Sequence, residues 1–445
     1  MAGQVSLAKV GIVASQGAGL QGAVDHDTVD ADTLTRSVLF VLVFLSVWIS
    51  FHPFPSLAEA PQLVEGGDRA NQIGFSTMFL VLAAWTYWHE PRRLILLLRP
   101  ALIALLACCA LSVVTSWEPA LAARRLTFAL ILMSISAMVL LLPKNLRHFS
   151  DLMAAVVLIV LAVCYLGVLL VPQDAVHQAT DYLEPEHAGN WRGVFPHKNQ
   201  AGGTMVLFIF IGMFVARMRS LALGAVIVVL SAVFLAFTQS KTAIGVLPLV
   251  LILSAIVSRG RRPAIGIALV VVLLALFNLF SVGTVIFEPV RQLIVSIMPD
   301  ATFTGRTDIW RLGVDAVMQR PLTGYGFSTF FGTEEVFYGL SENASWANEA
   351  TDAHNAYLNL ALTIGIPGLV LAILWIVILP ILDFYRQPHE PHIKAAQLLF
   401  LRVCLYGVFA SCFESSIFPQ VGEVWFMFMT SALALRYLSR TRARV

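Results

Sequence analysis

Three polar clusters stand out in an otherwise apolar chain because they combine arginine, lysine, histidine and asparagine. They lie at residues 190–199, 305–311 and 352–359. A guanidinium binds phosphate through a planar pair of donors, a lysine acts as a point charge, and a histidine can move a proton near neutral pH. This combination suits an anionic, sugar-bearing lipid better than an ion or a small apolar solute.

The first cluster, residues 190–199, precedes an apolar segment that should form a helix. The dipole and free N–H groups at the start of a helix favour an anion. Charges at membrane depth are costly unless they are used, so we expect Arg192 to contact the ligand directly. Lys198 and Asn199 are further candidate substrate-binding residues, whereas His197 is expected to pack at the interface and not to react.

The second cluster opens a predicted helix, since apolar residues recur at helical spacing from 309 to 317. Either Thr304 or Thr307 can cap this helix. Arg306 then lies at its N-terminal end, which is again a site for an anion. Arg311 follows an aspartate by three residues, so an intrahelical ion pair explains it better than the ligand contact that remains open.

Two turns supply weaker candidates. Proline and glycine define a turn at residues 321–326, and Tyr325 within it is a candidate sugar contact. Lys241 lies in a tight outer turn and could add positive charge to the same site.

The third cluster, residues 352–359, lies where the chain re-enters the membrane. His354 can act there as a general base or as a cationic donor to phosphate, and the sequence leaves both roles open. Asn355 and Asn359 are four residues apart on one predicted helix face, so they could orient the ligand or the imidazole. Asp352 is a candidate helix cap.

Hydrophobic residues make up 58% of the 445 residues and charged residues only 13%, which excludes an ordinary soluble domain. A hydrocarbon core of about 30 Å needs roughly 20 apolar residues per helix, and about twelve segments meet this requirement. We therefore expect an all-α polytopic membrane protein, with a disordered cytoplasmic tail at 1–33 and a single membrane domain at 34–445. The apolar segments lie near 37–51, 73–88, 95–114, 121–142, 151–171, 201–216, 220–238, 241–257, 263–283, 356–382, 395–412 and 422–438.

The distribution of Lys and Arg sets the expected orientation, because short basic loops are retained in the cytoplasm. With an inner N-terminus, most basic residues fall on inner segments, which supports two cytoplasmic termini. Residues 172–200 and 284–355 then form a smaller and a large periplasmic loop, the large one containing short helices. The candidate site lies on the periplasmic side.

No spacing of cysteine and histidine typical of a metal site is evident in the sequence. We therefore expect neither a metal nor another cofactor. The net charge of +2 indicates no particular partner, and no nucleic-acid-binding module is present.

The chain resembles the bacterial O-antigen ligase and polysaccharide polymerase (Wzy-type) superfamily over roughly residues 190–380. The segment 192–199 is more similar to the exopolysaccharide polymerase branch than to the lipopolysaccharide ligase branch. The resemblance is carried by Gly305-Arg306 with Ile309-Trp310, by the turn at 321–326, and by Ala353-His354-Asn355 leading into Gly365-Ile366-Pro367-Gly368.

The resemblance implies a GT-C-like glycosyltransferase that joins lipid-linked glycans at the outer face of the bacterial inner membrane. Arg192 and Arg306 would hold an undecaprenyl-pyrophosphate-linked oligosaccharide donor, and His354 would lie at the reacting centre. Besides the donor, a glycan acceptor and membrane lipids, the candidate partners are a flippase and a chain-length regulator.

We expect a metal-independent polymerase that produces exopolysaccharide, with an O-antigen ligase acting on lipid A core as the alternative. A lipid-linked glycan transporter is an alternative of another class. A transporter needs its charged site near the bilayer midplane, whereas the three clusters lie at one face.

Overall fold

The computed structural model describes residues 30–58, 68–182, 184–297, 305–333, 350–386, 391–415, 417 and 422–441. Over these residues the chain consists of helices, turns and loops, together with an isolated bridge between Val176 and Trp191. The all-α class expected from the sequence is therefore confirmed.

Every apolar segment predicted from the sequence falls on a helix. Within the described part of the chain, nine helices are long and apolar enough to cross a membrane. The helices Arg69–His89, Pro100–Val114 and Glu423–Arg440 are not among these nine. The polytopic membrane class is confirmed, and the count of about twelve spans stays a prediction. The helices are α1 (Ala31–Trp48), α2 (Arg69–His89), α3 (Pro91–Ile95), α4 (Pro100–Val114), α5 (Pro119–Met138), α6 (Leu146–Leu170), α7 (Pro172–Ala175), α8 (Lys198–Met218), α9 (Leu221–Thr238), α10 (Lys241–Arg259), α11 (Pro263–Phe280), α12 (Gly283–Ile286), α13 (Glu288–Ile297), α14 (Arg306–Gln319), α15 (Ala356–Ile373), α16 (Leu379–Tyr385), α17 (Pro391–Ala410) and α18 (Glu423–Arg440).

The start of α1 corrects one predicted boundary. Asp30 caps the helix by accepting a hydrogen bond from the backbone N–H of Asp32. Residues 31–33, which we had assigned to a disordered tail, are therefore helical. The rest of the predicted tail, residues 1–29, lies outside the described residues.

Helices α8, α17 and α18 form the centre of the bundle. Most of each helix is buried, and its apolar side chains face all directions, as expected for a helix surrounded by others. Two glycines let these helices approach each other closely. A Cβ atom added at Gly203 would lie only 2.9 Å from the Val424 side chain, and one added at Gly407 would lie only 2.7 Å from the Phe428 ring. This core holds the start of α8 and the end of α17 beside each other.

The turn at residues 321–326 packs against a break in α15. Gly365 has φ 72° and ψ 177°, a conformation that suits glycine. At this break the Ile366 N–H donates to Pro321 O at 2.8 Å, and the Tyr325 N–H donates to Leu362 O at 2.7 Å. The turn at 321–326 and the glycine motif that begins at Gly365 therefore hydrogen-bond to each other and hold α14 against α15.

The far end of the helical segment formed by α15 and α16 carries a separate polar cluster. Arg99 forms a buried ion pair with Asp383, and Arg436 donates to Leu96 O at 3.1 Å. Both arginines lie on segments that an inner N-terminus predicts to be cytoplasmic. Because His354 precedes the opposite end of the same helical segment, the residues predicted for the two faces are separated in space.

Candidate active site

The segment that follows α17, residues 411–415, connects most of the candidate site. It accepts hydrogen bonds from α14 and from the start of α15, and it also contacts the start of α8. The bonds are Ala356 N to Ser411 O at 2.8 Å, Asn355 Nδ2 to Cys412 O at 3.0 Å, Arg306 Nη1 to Phe413 O at 2.6 Å, Asn199 Nδ2 to Glu414 Oε1 at 3.1 Å, and Ser415 Oγ to Asp352 Oδ1 at 2.6 Å. Four distant parts of the chain therefore meet at one place.

Arg306 is the first residue of α14. Gly305, with φ 83°, precedes it in place of a side-chain cap. The predicted cap Thr307 is inside the helix, and Thr304 lies outside the described residues. The guanidinium of Arg306 also lies 3.6 Å from Glu414 Oε1 and is 19% exposed, so it is held in place and remains accessible to a ligand.

Glu414 is the residue that the sequence interpretation missed. In the sequence it is one acidic residue in a loop between two apolar segments, yet its carboxylate lies between Arg306 and Asn199. Burial raises the pKa of Glu414, while the positive charges of Arg306 and a protonated His354 or His197 oppose that change. A carboxylate with a raised pKa can take up and release a proton near the reacting groups.

His354 is held in an unusual backbone conformation directly before α15. Its φ is +46°, and its N–H donates to Asp352 Oδ1 at 2.6 Å. The preceding residue, Ala353, accepts a hydrogen bond from the buried Trp310 Nε1 at 2.9 Å. A non-glycine residue in this region of backbone space is strained and often marks a functional site. The imidazole remains 35% exposed, its Nδ1 lies 3.7 Å from Asp352 Oδ1, and it is close enough to Glu414 for their charges to interact.

Asn355 is hydrogen-bonded within the protein, which does not support the substrate contact expected from the sequence. Its Oδ1 accepts from the N–H groups of Tyr357 and Leu358, so Asn355, rather than Asp352, caps α15. Its Nδ2 donates to Asn278 Oδ1 and to Cys412 O. The side chain is fully buried, and these bonds use its donors and acceptor.

Arg192 and Tyr325 are likewise buried, each with 1% exposure. The guanidinium of Arg192 donates to Phe195 O at 3.2 Å and to Pro55 O at 2.7 Å. The hydroxyl of Tyr325 donates to Ala316 O at 2.8 Å. This geometry favours a role for both residues in holding loops, and it does not support the ligand contacts expected from the sequence.

The remaining predicted residues are distributed around the cluster. Lys198 begins α8 beside Asn199, and it lies close enough to Lys241 at the start of α10 for their charges to interact. Arg311 forms the expected pair with Asp308, at 3.1 Å on an exposed helix face. Arg311 therefore makes no observed contact with the site.

A cavity of about 810 Å³ lies beside Asp352, which forms part of its lining. It is bounded by α1, α2, α5, α15 and α18 and by the loop at 328–332. Its polar lining includes Gln72, Arg124, Arg125 and the buried Asn359. This volume lies within the range of about 300–1,000 Å³ typical of small-molecule sites. Asp352 is shared between this chamber and the hydrogen bonds that hold His354.

A separate polar group in the loop before α8 consists of Glu184, His187 and His197. Their side-chain ligand atoms lie within 4.8 Å of one another, whereas the sequence showed no spacing typical of a metal site. Contact with His197 lowers the pKa of Glu184 to about 2. The sequence did not indicate this group, because its three residues are separated by three and ten positions and include no cysteine.

The fold and the candidate site define a multi-pass helical membrane protein with a polar centre built at one end of its bundle. Residues 226–373 match the model of the O-antigen ligase family. The exopolysaccharide production protein ExoQ of Rhizobium meliloti (strain 1021) is 27% identical over 190 residues, which cover 40% of this chain and 43% of that relative. The matched region therefore spans less than half of either protein. These findings support the resemblance to the O-antigen ligase and polysaccharide polymerase superfamily that the sequence motifs indicate.

Proposed function

We propose that this chain polymerises undecaprenyl-pyrophosphate-linked oligosaccharide units into exopolysaccharide at the periplasmic face of the inner membrane. The observation that carries this proposal is the meeting of Arg306, His354 and Glu414 around the 411–415 segment. The cluster joins a phosphate-binding cation to two groups that can accept a proton. Similarity to an exopolysaccharide production protein supports the polymer as the product.

The reaction is a single displacement. A hydroxyl oxygen of the acceptor glycan forms a bond to the anomeric carbon of the donor, the bond from that carbon to the pyrophosphate oxygen breaks, and the acceptor proton moves to a base. Negative charge grows on the leaving pyrophosphate. Arg306 is held in advance by Phe413 O and stabilises that charge, so the proposed transfer needs no metal at this centre.

Glu414 and His354 share the proton chemistry in this proposal. The carboxylate of Glu414 accepts the proton of the attacking hydroxyl, and His354 donates a hydrogen bond to the leaving phosphate. Lys198 and Lys241 add positive potential at the entrance, where the two helix N-termini also favour an anion. We assign the acceptor glycan to the chamber beyond Asp352, because its amide, carboxylate and guanidinium groups suit sugar hydroxyls.

Ligation of a completed glycan to lipid A core is the second candidate, favoured by the O-antigen ligase family match. Deleting the gene distinguishes these functions. A missing polymerase leaves single repeat units on the lipid carrier, whereas a missing ligase leaves long polymer on that carrier. A missing transporter leaves its lipid-linked substrate on the cytoplasmic side, where an external glycosidase cannot reach it.

The measurement is the length and sidedness of the extracted lipid-linked saccharides. Complementation with the wild-type gene is the positive control. Long lipid-linked chains in the deletion strain would contradict the polymerase proposal.

A further inference from the structure

We propose that Glu184, His187 and His197 form a binding site for a divalent transition metal of the zinc type. The carboxylate and the two imidazoles belong to the loop that leads into α8. Their ligand atoms lie within 4.8 Å of one another. A carboxylate with two imidazoles is an established ligand set for zinc and leaves a fourth coordination position for water.

The side-chain geometry requires only local adjustment to hold an ion. Glu184 Oε2 lies 2.6 Å from His197 Nε2 and 3.8 Å from His187 Nε2. Around a tetrahedral ion with bonds of about 2.0–2.1 Å, ligand atoms are about 3.3 Å apart. The first distance must open by about 0.7 Å and the second must close by about 0.5 Å. His197 Nε2 is buried and contacts Glu184 Oε2, so an ion bound between these two atoms would replace that contact.

A third imidazole supports the two ligands without joining them. His177 Nδ1 contacts Asp181 Oδ2 at 2.9 Å, and its Nε2 accepts from the Lys198 backbone N–H at 3.2 Å. Both ring nitrogens are therefore engaged. The ring centroid of His177 lies 5.8 Å from that of His187 and 5.3 Å from that of His197, so it packs against both proposed ligands and restricts their orientation.

The surrounding charges partly oppose and partly favour a cation. The ammonium group of Lys198 interacts unfavourably with a protonated His187, whereas the carboxylates of Glu184 and Glu186 interact favourably with it. The two carboxylates and the one ammonium group together carry a formal charge of −1, which attracts a cation. The loop therefore favours a dication.

Binding has a defined structural cost. His197 Nδ1 now accepts the backbone N–H of Asn199 at 3.1 Å. Ligation through Nε2 places the ring proton on Nδ1, so this bond must open and the N–H must turn to water, which the first turn of a helix allows. We therefore expect micromolar affinity and not the much tighter binding of a preformed structural zinc site. Because the Asn199 side chain also bonds to Glu414, metal binding is coupled to the candidate active site.

Cobalt binding to the full chain tests this inference directly. The protein is purified in detergent with an affinity tag that contains no histidine, treated with a chelator and titrated with Co²⁺, whose visible absorption reports its ligands. We expect one Co²⁺ ion per chain and its displacement by Zn²⁺. Glu184→Gln, His187→Gln and His197→Gln should each abolish this binding over the same concentration range.

His52→Gln is the matched control. His52 Nε2 lies 3.2 Å from Asp68 Oδ1, which makes a histidine–carboxylate pair without a second imidazole, so binding should be unchanged. Wild-type titration curves for His187→Gln and His197→Gln would overturn the assignment, as would no binding by the wild-type chain. If the variants do not fold, X-ray absorption of the zinc-loaded wild-type protein decides, since a spectrum lacking imidazole ligands excludes the site.

Discussion

Replacing Arg306 with Lys tests the centre of the proposed active site. The substitution keeps the charge, but one ammonium group cannot reproduce a guanidinium that reaches Phe413 O at 2.6 Å and approaches Glu414 Oε1 at 3.6 Å. In the proposed complex the same group must also bind a phosphate. Loss of one hydrogen bond to a charged group costs about 1.5–3 kcal/mol. If that bond is made in the transition state, transfer slows by roughly 10- to 150-fold.

The assay measures the initial rate of polymer formation by membranes from a deletion strain that expresses each variant at equal level. Arg311→Lys is the matched control, because Arg311 is on the same helix and forms an exposed pair with Asp308; we expect its rate to stay within about twofold. An Arg306→Lys rate within the same range would refute the assigned role. Thermal unfolding of both purified variants separates a lost transition-state contact from a damaged fold.

Three further predictions follow from the same structure. His354→Ala should lower the rate by roughly 10²- to 10⁴-fold if the imidazole takes part in proton transfer or leaving-group stabilisation, and normal polymer from this variant would exclude that role. Asn355→Ala should lower the free energy of unfolding by about 2–4 kcal/mol, because α15 loses its cap and Cys412 O loses its buried donor; thermal unfolding unchanged from the wild type would contradict this. In a cysteine-free background, Ser345→Cys should react with a membrane-impermeant thiol reagent in spheroplasts and Gly260→Cys should not, and the reverse pattern would place the site on the cytoplasmic face.

The helices were predictable because their signal is local. Apolar runs of membrane length identified every long helix, including α2 and α18, whose polar residues make them weak candidates for spanning helices. The sequence also singled out Arg306 and His354, since charged residues at the edge of an apolar segment are costly unless they are used. The structure brings both near Glu414, and their roles stay predictions. The turn at 321–326 was recognised from its glycines and proline, although its partner in α15 was not.

The remaining features depend on contacts between distant residues. Glu414 looked like an ordinary loop residue because Arg306 is more than a hundred positions earlier in the chain. Arg192 looked like a ligand contact because its partner, Pro55 O, is a backbone carbonyl 137 positions away. The sequence shows which side chains are polar, but it does not show whether a backbone carbonyl satisfies them.

Glu414→Gln provides the sharpest test of how the site handles charge and protons. In the proposed mechanism, a donor pyrophosphate competes with Glu414 for Arg306, and the loss of that cation raises the pKa of the carboxylate and prepares it to accept the acceptor proton. The amide cannot compete as an anion and cannot accept the proton. We therefore expect kcat to fall while KM for the donor stays unchanged or decreases.

A purely structural role for Glu414 gives a different result. Loss of the contacts with Arg306 and Asn199 would then loosen the 411–415 segment, so that KM would rise and the unfolding temperature would fall. Steady-state kinetics with thermal unfolding separates the two accounts, because only proton transfer predicts a lower kcat in a protein whose affinity and stability are preserved. A raised KM and reduced stability with an unchanged kcat would exclude Glu414 as the base and leave His354 as the proton acceptor.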